Sequence, residues 1–330
     1  MIRNFYFFFN FIFLFSSCTN NSTASKKQKS VDNFDVLLFE EYVEQEEMDS
    51  ALNYIDEFYK NNPDDINILI ARADFYSAVN QNKTSISRDC LEHCLEIEPK
   101  NIICAEKRIN LYCTLYDVTG NSCEESVNYV LDFDSKNLIA LYFQAKLRRD
   151  QGKTELAKQI YQQILEIKAN HLGALEDLAI LYTQENNELA ITYFDRILEQ
   201  NPTYQVYYNY GYYFQSQEDF QNAIQKYQES ISLNESWPYS YYSMGYCYLA
   251  SALYSKDKLK KKSLLNSALK SFDKTINLDG GYLEAYHSRA ICHQNIGNKK
   301  AALEDFKFCL MINPGYEPAM NGISELEKSN

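Results

Sequence analysis

Glycine and proline are scarce in this chain, 10 and 6 among 330 residues, and tryptophan occurs once. An all-β sandwich or barrel needs turn residues roughly every 8–12 positions, so the scarcity favours long helices joined by few turns. Only four histidines are present, His93, His171, His287 and His293, and none stands in a nucleophile elbow, an H-E-x-x-H motif or a phosphate-binding glycine loop. No catalytic, cofactor-binding or metal-ligating set is assigned, and the chain reads as non-enzymatic. Basic residues are outnumbered, 32 against 45 acidic, giving a net charge of −13. A chain so charged repels nucleic acid and anionic lipid at long range, and nucleic acid is excluded as a general partner. No apolar run reaches the roughly 20 residues a membrane-spanning helix needs.

What is present begins with a short apolar leader. Arg3 precedes an apolar run from Phe5 to Phe15, broken only by Asn10, and Ser16-Ser17 lead into Cys18. This is the layout of an export signal. Leu14-Phe15-Ser16-Ser17 ahead of Cys18 resembles the lipobox of bacterial lipoproteins, departing from it at Phe15 and Ser17. The resemblance implies a signal peptide over 1–17, a lipidated Cys18, and an exported, membrane-anchored lipoprotein facing the periplasm or the cell surface. A plain secretory signal or an uncleaved anchor is the alternative. From Thr19 to Val31 the chain is polar, has no aromatic residue and carries Lys26, Lys27 and Lys29. Such a segment cannot bury enough surface to fold, so 18–31 reads as a lipidated flexible tether.

From residue 32 onward the composition is ordinary for a folded chain, and a period of about 34 residues runs through it. Its clearest copy is Leu283 to Pro314. Tyr286 and His293, seven apart, share one side of a first helix, and Ala290 between them lets a second helix cross closely. Gly297-Asn298 makes the turn. Ala302, Phe306 and Cys309-Leu310 form an apolar stripe on the second helix, and Asn313-Pro314 stops it. Small residues Ala145, Ala179, Gly211 and Gly245 recur at spacings of 34, 32 and 34.

Those residues resemble the tetratricopeptide pattern W-x2-L-G-x2-Y, A-x3-F and a closing P, with Tyr286, Ala290, His293, Ala302, Phe306 and Pro314 in its places. The resemblance implies an all-α fold, a right-handed α-solenoid of stacked helical hairpins, with about eight hairpins over 32–316 and a polar capping helix and tail over 317–330. The first hairpin pairs Phe34 to Glu46 with Asp49 to Lys60, and the third, Ile102 to Ser135, is degenerate. In the seventh, Gly245 to Ala268 is 23 positions where Gly211 to Ala223 is 12. The 11 extra residues fall within 250–267, which reads as a lengthened helix pair, with Leu253, Leu264 and Leu265 continuing its stripe. Lys256, Lys258, Lys260, Lys261 and Lys262 lie there, a solvated tip or a site for an acidic partner.

Cys90, His93 and Cys94 share a helix face and are the best-spaced metal candidates, yet Cys94 and Cys309 hold the same place in different repeats, which indicates packing. Cys90, Cys94, Cys104, Cys113 and Cys123 are the cysteines placed to pair in an oxidising compartment, with connectivity left open.

The repeat resemblance also implies that side chains one or two steps from the core places of the first helices line a concave face. Tyr208, Tyr212, Tyr239, Tyr242, Tyr246, His287 and Ile291 stand there. Tyrosine joins a large apolar body to a polar tip, which suits recognition. The Lys/Asn carboxylate clamp of tetratricopeptide co-chaperones would need Lys and Asn where Tyr208, Tyr212, Tyr242 and Tyr246 stand, so chaperone-tail binding is disfavoured. The expectation is a membrane-tethered scaffold binding a protein or peptide; the alternative is a nutrient- or glycan-binding lipoprotein of an uptake system.

Overall fold

The computed structural model describes residues 48–79, 84–116 and 121–328, together with Phe39. The leader, Cys18, the tether and the helix expected over Phe34 to Glu46 lie outside the described residues, apart from Phe39. Every described element is helical, sixteen α-helices and one π-helical segment with no strand among the described residues. None of these helices is long and apolar enough to cross a membrane. The chain divides into two compact units, Met1–Ile160 and Tyr161–Asn330, each a stack of helical hairpins.

The first unit holds α1 (Met48–Asn61), α2 (Ile66–Val79), α3 (Thr84–Ile97), α4 (Ile102–Asn110), a π segment (Leu111–Tyr116), α5 (Asn121–Phe133), α6 (Leu138–Asp150) and the start of α7 (Thr154–Ile167). Asn101 and Asn137 open α4 and α6 by accepting the amides of Cys104 and Ala140 at 3.1 and 3.0 Å, satisfying donors that a helix start leaves unpaired. Ala51 and Ile55 of α1, and Leu69 and Ala73 of α2, face inward at 2% exposure or less.

The third hairpin departs from the repeat, as its sequence does. Where it lacks the small and aromatic stripe, two disulfides hold it instead. Cys94–Cys104 ties α3 to α4, and Cys113–Cys123 ties the π segment to α5. The candidate trio Cys90, His93 and Cys94 is not assembled as a metal site. Cys94 is bonded to Cys104, Cys90 is buried beneath the Arg72 guanidinium, whose Nη1 donates to Sγ at 3.4 Å, and His93 lies at the surface against Asp64 at 2.7 Å.

The second unit holds the rest of α7, then α8 (Leu172–Gln184), α9 (Leu189–Leu198), α10 (Tyr204–Ser216), α11 (Phe220–Leu233), α12 (Pro238–Tyr254), α13 (Lys258–Leu278), α14 (Leu283–Ile296), α15 (Lys299–Ile312) and α16 (Glu317–Lys328). Gly297, at φ +90°, ends α14 in the left-handed region that glycine enters without a Cβ clash. The glycines of the repeat register sit where helices cross. A Cβ on Gly211 would lie 2.7 Å from the Tyr227 ring, and one on Gly245 would lie 2.8 Å from the Phe272 ring. Tyr227 and Phe272 are fully buried. Gly322 on α16 faces the Phe306 ring in the same way, so α16 seals the end of the stack with Ala319, Gly322 and Leu326 while Glu317, Glu325 and Glu327 face solvent.

The seventh hairpin has the longest helices, 17 residues in α12 and 21 in α13. Leu249, Ala252 and Leu265 extend its core outward, and Leu264 packs on their edge. Leu253 does not join them. It is 52% exposed, because on α12 it falls one position past the inward face that Leu249 and Ala252 define.

Candidate binding surface

Helices α10, α12 and α14 carry the seven side chains singled out from sequence, all within the second unit. On α10, Tyr208 and Tyr212 are one turn apart; on α12, Tyr239, Tyr242 and Tyr246 repeat at i, i+3 and i+7, one face of a helix. Tyr212, Tyr239 and Tyr246 are open to solvent, at 52%, 43% and 42%. Tyr208, Tyr242, His287 and Ile291 are half-buried. Tyr208 leans on Tyr227 with ring centroids 5.6 Å apart, and Tyr242 lies 5.9 Å from Phe272. His287 sits between Phe306 at 5.8 Å and Tyr316 at 5.4 Å. The seven thus split into an exposed set and a set that also packs the hairpins.

Rings the sequence reading passed over join them. Tyr204 meets Trp237 at 5.2 Å, Trp237 meets Tyr239 at 4.8 Å, Tyr239 meets Tyr282 at 5.7 Å, and Tyr282 stacks on Tyr242 at 4.9 Å. The result is a belt of aromatic contacts running across the starts of α10, α12 and α14. Trp237 and Tyr282 each hold the cap position of the following helix, yet neither side chain makes a cap bond. At the corresponding places Asn137, His171 and Thr203 do. What these two positions contribute is a ring. Scanning first-helix faces could not find them, since both lie in the turns between hairpins; aromatic residues recurring just ahead of successive first helices were the available signal.

Glu284, exposed at the start of α14, is near enough for its charge to act on the belt's phenols. Burial pushes the phenols of Tyr242 and Tyr282 above their ordinary value; Ser288 beside Tyr242 offsets part of that rise, and Glu284 adds to both. His287 is held below the usual histidine value by burial, with Glu284 pulling the other way. This imidazole is therefore neutral near pH 7. A cleft of 370 Å³ opens among α8, α9 and α10, lined by Glu176 and Ile180 of α8, Phe194 and Ile197 of α9, and Gln205, Val206 and Asn209 of α10. It was not foreseen, because its apolar side chains come from three different helices and its polar ones follow no common spacing. Among the described residues no group of His, Cys, Asp and Glu is arranged to hold a metal.

Tetratricopeptide repeat models match residues 138–171, 180–241 and 283–316. Serine/threonine-protein phosphatase 5 of Rattus norvegicus and of Homo sapiens are each 28% identical to this chain over 116 residues, 35% of this chain and 21% of theirs. This chain therefore spans about a fifth of the length of these relatives, and the match falls in their tetratricopeptide part. A tetratricopeptide repeat protein from Parabacteroides merdae superposes with a TM-score of 0.52 at 20% identity, covering 79% of this chain and 98% of its own. Cut9–Hcn1 of the APC/C gives a TM-score of 0.52 at 14% identity, covering 84% of this chain and 52% of its own. At those identities the two structures speak for the fold alone. Stacked hairpins with glycine at the helix crossings, and repeat matches in three separate segments, show that this chain contains tetratricopeptide repeats.

Proposed function

We propose that the chain is a non-enzymatic scaffold that holds an extended segment of a protein or peptide partner against the tyrosine belt of α10, α12 and α14, and that acyl chains on Cys18 keep it at a bacterial membrane on the exported side. The observation that carries the reading is the exposure of Tyr212, Tyr239 and Tyr246 beside a belt of half-buried rings. Aromatic surface left in water on a folded chain is recognition surface more often than residual core. Glu284 near the rings favours a segment that pairs apolar side chains with a basic one. The disulfides Cys94–Cys104 and Cys113–Cys123 support an oxidising compartment.

Two experiments test this. Capture of a partner from detergent-solubilised envelopes by the wild-type chain should fail with the doubly substituted Tyr212→Ala, Tyr246→Ala chain; undiminished capture would remove the belt from the proposal. Labelling by a fatty-acid analogue should vanish in Cys18→Ala, and persistent labelling would remove the anchor. Exposed tyrosine rings also suit the faces of sugars, which supports a second reading, a glycan-binding lipoprotein of an uptake system. Saturable binding of a glycan by the purified chain would favour that reading over the first.

A further inference from the structure

The lengthened turn of the seventh hairpin carries large apolar side chains that its core does not use. The buried stripe stops at Ala252 on α12 and Leu265 on α13. Beyond it, α12 ends in Leu253 and Tyr254, 52% and 70% exposed, and α13 opens with Leu259, 82% exposed. Tyr254 is not loose, for its ring stacks on Phe220 with centroids 6.3 Å apart. Around these three stand Lys256, Lys258, Lys260 and Lys262, all exposed, and the partly exposed Lys261. Between Glu235 and Asp273 the only acidic residue is Asp257. Its Oδ1 already accepts the amides of Leu259 at 2.8 Å and Lys260 at 3.1 Å, capping α13.

We propose that this tip docks on an anionic lipid surface, with Leu253, Tyr254 and Leu259 entering the headgroup layer and the lysines lying against the phosphates. Three apolar side chains make a patch far smaller than the roughly 800 Å² per partner of a stable protein interface. A bilayer accepts a wedge of that size. Tyrosine settles at the boundary between headgroup and hydrocarbon, and lysines keep their charge in water while their stems cover apolar surface. The net charge of −13 repels anionic lipid at long range, but at physiological ionic strength charges more than about 8 Å from the lipid are largely screened, so the local lysines govern this contact. The proposal is independent of Cys18 and of the tyrosine belt.

The test is depth-dependent quenching in the full-length chain. Tyr254→Trp places a reporter at the tip, with Trp237 of the unsubstituted chain as background. Vesicles of phosphatidylcholine, alone or mixed with phosphatidylglycerol, carry bromine on their acyl tails. An N-terminal anchor would bring the chain to both kinds of vesicle, but only insertion of the tip quenches residue 254. Quenching above background on the anionic vesicles, little on the neutral ones, and an apparent lipid affinity at least about tenfold weaker when Lys258, Lys260, Lys261 and Lys262 are changed to Gln are the expected results. Equal quenching on both lipids, none on either, or indifference to the lysine changes would overturn the proposal. No quenching together with saturable binding of polyglutamate would also overturn it and reassign the tip to an acidic protein.

Discussion

Tyr242 of α12 stacks on Tyr282, the residue before α14, with ring centroids 4.9 Å apart and planes at 30°. The candidate wall is therefore built across the boundary between two hairpins, and Tyr242 serves packing as well as surface. Its neighbour Tyr241 is also half-buried, with Lys274 over its ring at 5.7 Å. Tyr242→Ala should lower stability by about 2 kcal/mol, short of the 3 to 5 kcal/mol expected for the fully buried Phe272→Ala. Urea melts of the two variants measure the difference; equal losses would place Tyr242 wholly in the core.

Gly245 is expected to tolerate no side chain. Phe272 and Ser271 would stand 2.8 and 3.0 Å from its Cβ, and both are buried. Gly245→Ala should cost about 1 to 3 kcal/mol, while Gly315→Ala, whose Cβ would meet only the Asn313 carboxamide at 3.6 Å, should cost much less. Denaturant midpoints that match for the two variants would show that the helices are not held at this crossing.

His171 should make stability fall on mild acidification. Its Nδ1 accepts the Ala174 amide at 3.2 Å and so caps α8, and burial with Lys168 nearby holds it below its ordinary value of 6.5. His287 is lowered by burial as well. For a histidine whose folded value lies below the unfolded one, the unfolded chain takes up the proton first. Stability is then fully present above about pH 6.5 and is lost as pH falls through the lowered values. Protonation of Nδ1 also removes the cap, worth about 1 kcal/mol. His171→Asn keeps a capping oxygen without the titration, so its melting temperature should change less between pH 7 and pH 5 than that of the unsubstituted chain. An unchanged slope would mean that His171 titrates freely.

The disulfides bear on one hairpin. Each closes a loop of sequence separation 10, a span for which the loss of unfolded-state freedom is worth about 2 to 3 kcal/mol. Reduction should therefore raise amide exchange in α4 and α5, leaving α10 to α15 as protected as before. Cys90, Cys247, Cys292 and Cys309 are free and buried, with burial pushing the Cys247 and Cys292 thiols up to about 12, so they should stay unreactive in the folded chain. Exchange that rises equally in α10 to α15 would show that the hairpin is not held locally.

The repeat register was legible because tetratricopeptide packing puts small and large residues at fixed offsets. Gly211, Gly245, Ala290, Phe272 and Phe306 reveal their partners through spacing alone. The third hairpin was legible only as a departure. Its substitute staples are covalent bonds whose pairing depends on distances in space, and five nearby cysteines permit several pairings. Of the wall, the first-helix tyrosines could be read from the helical period, but Trp237, Tyr282 and Tyr316 could not, since they stand in turns. Leu253 misled for a related reason: an apolar residue beside a stripe looks like part of it until the helix face is known.

Tyr246 decides the central claim, because it is 42% exposed and lies outside the buried clusters. The measurement is of Tyr246→Ala twice over, its thermal melt and its affinity for the partner that the unsubstituted chain captures. Stability should stay within about 0.5 kcal/mol of the parent while binding weakens by about 2 kcal/mol or more, about thirtyfold. Binding that survives the substitution, or that is lost only in step with unfolding, would contradict it.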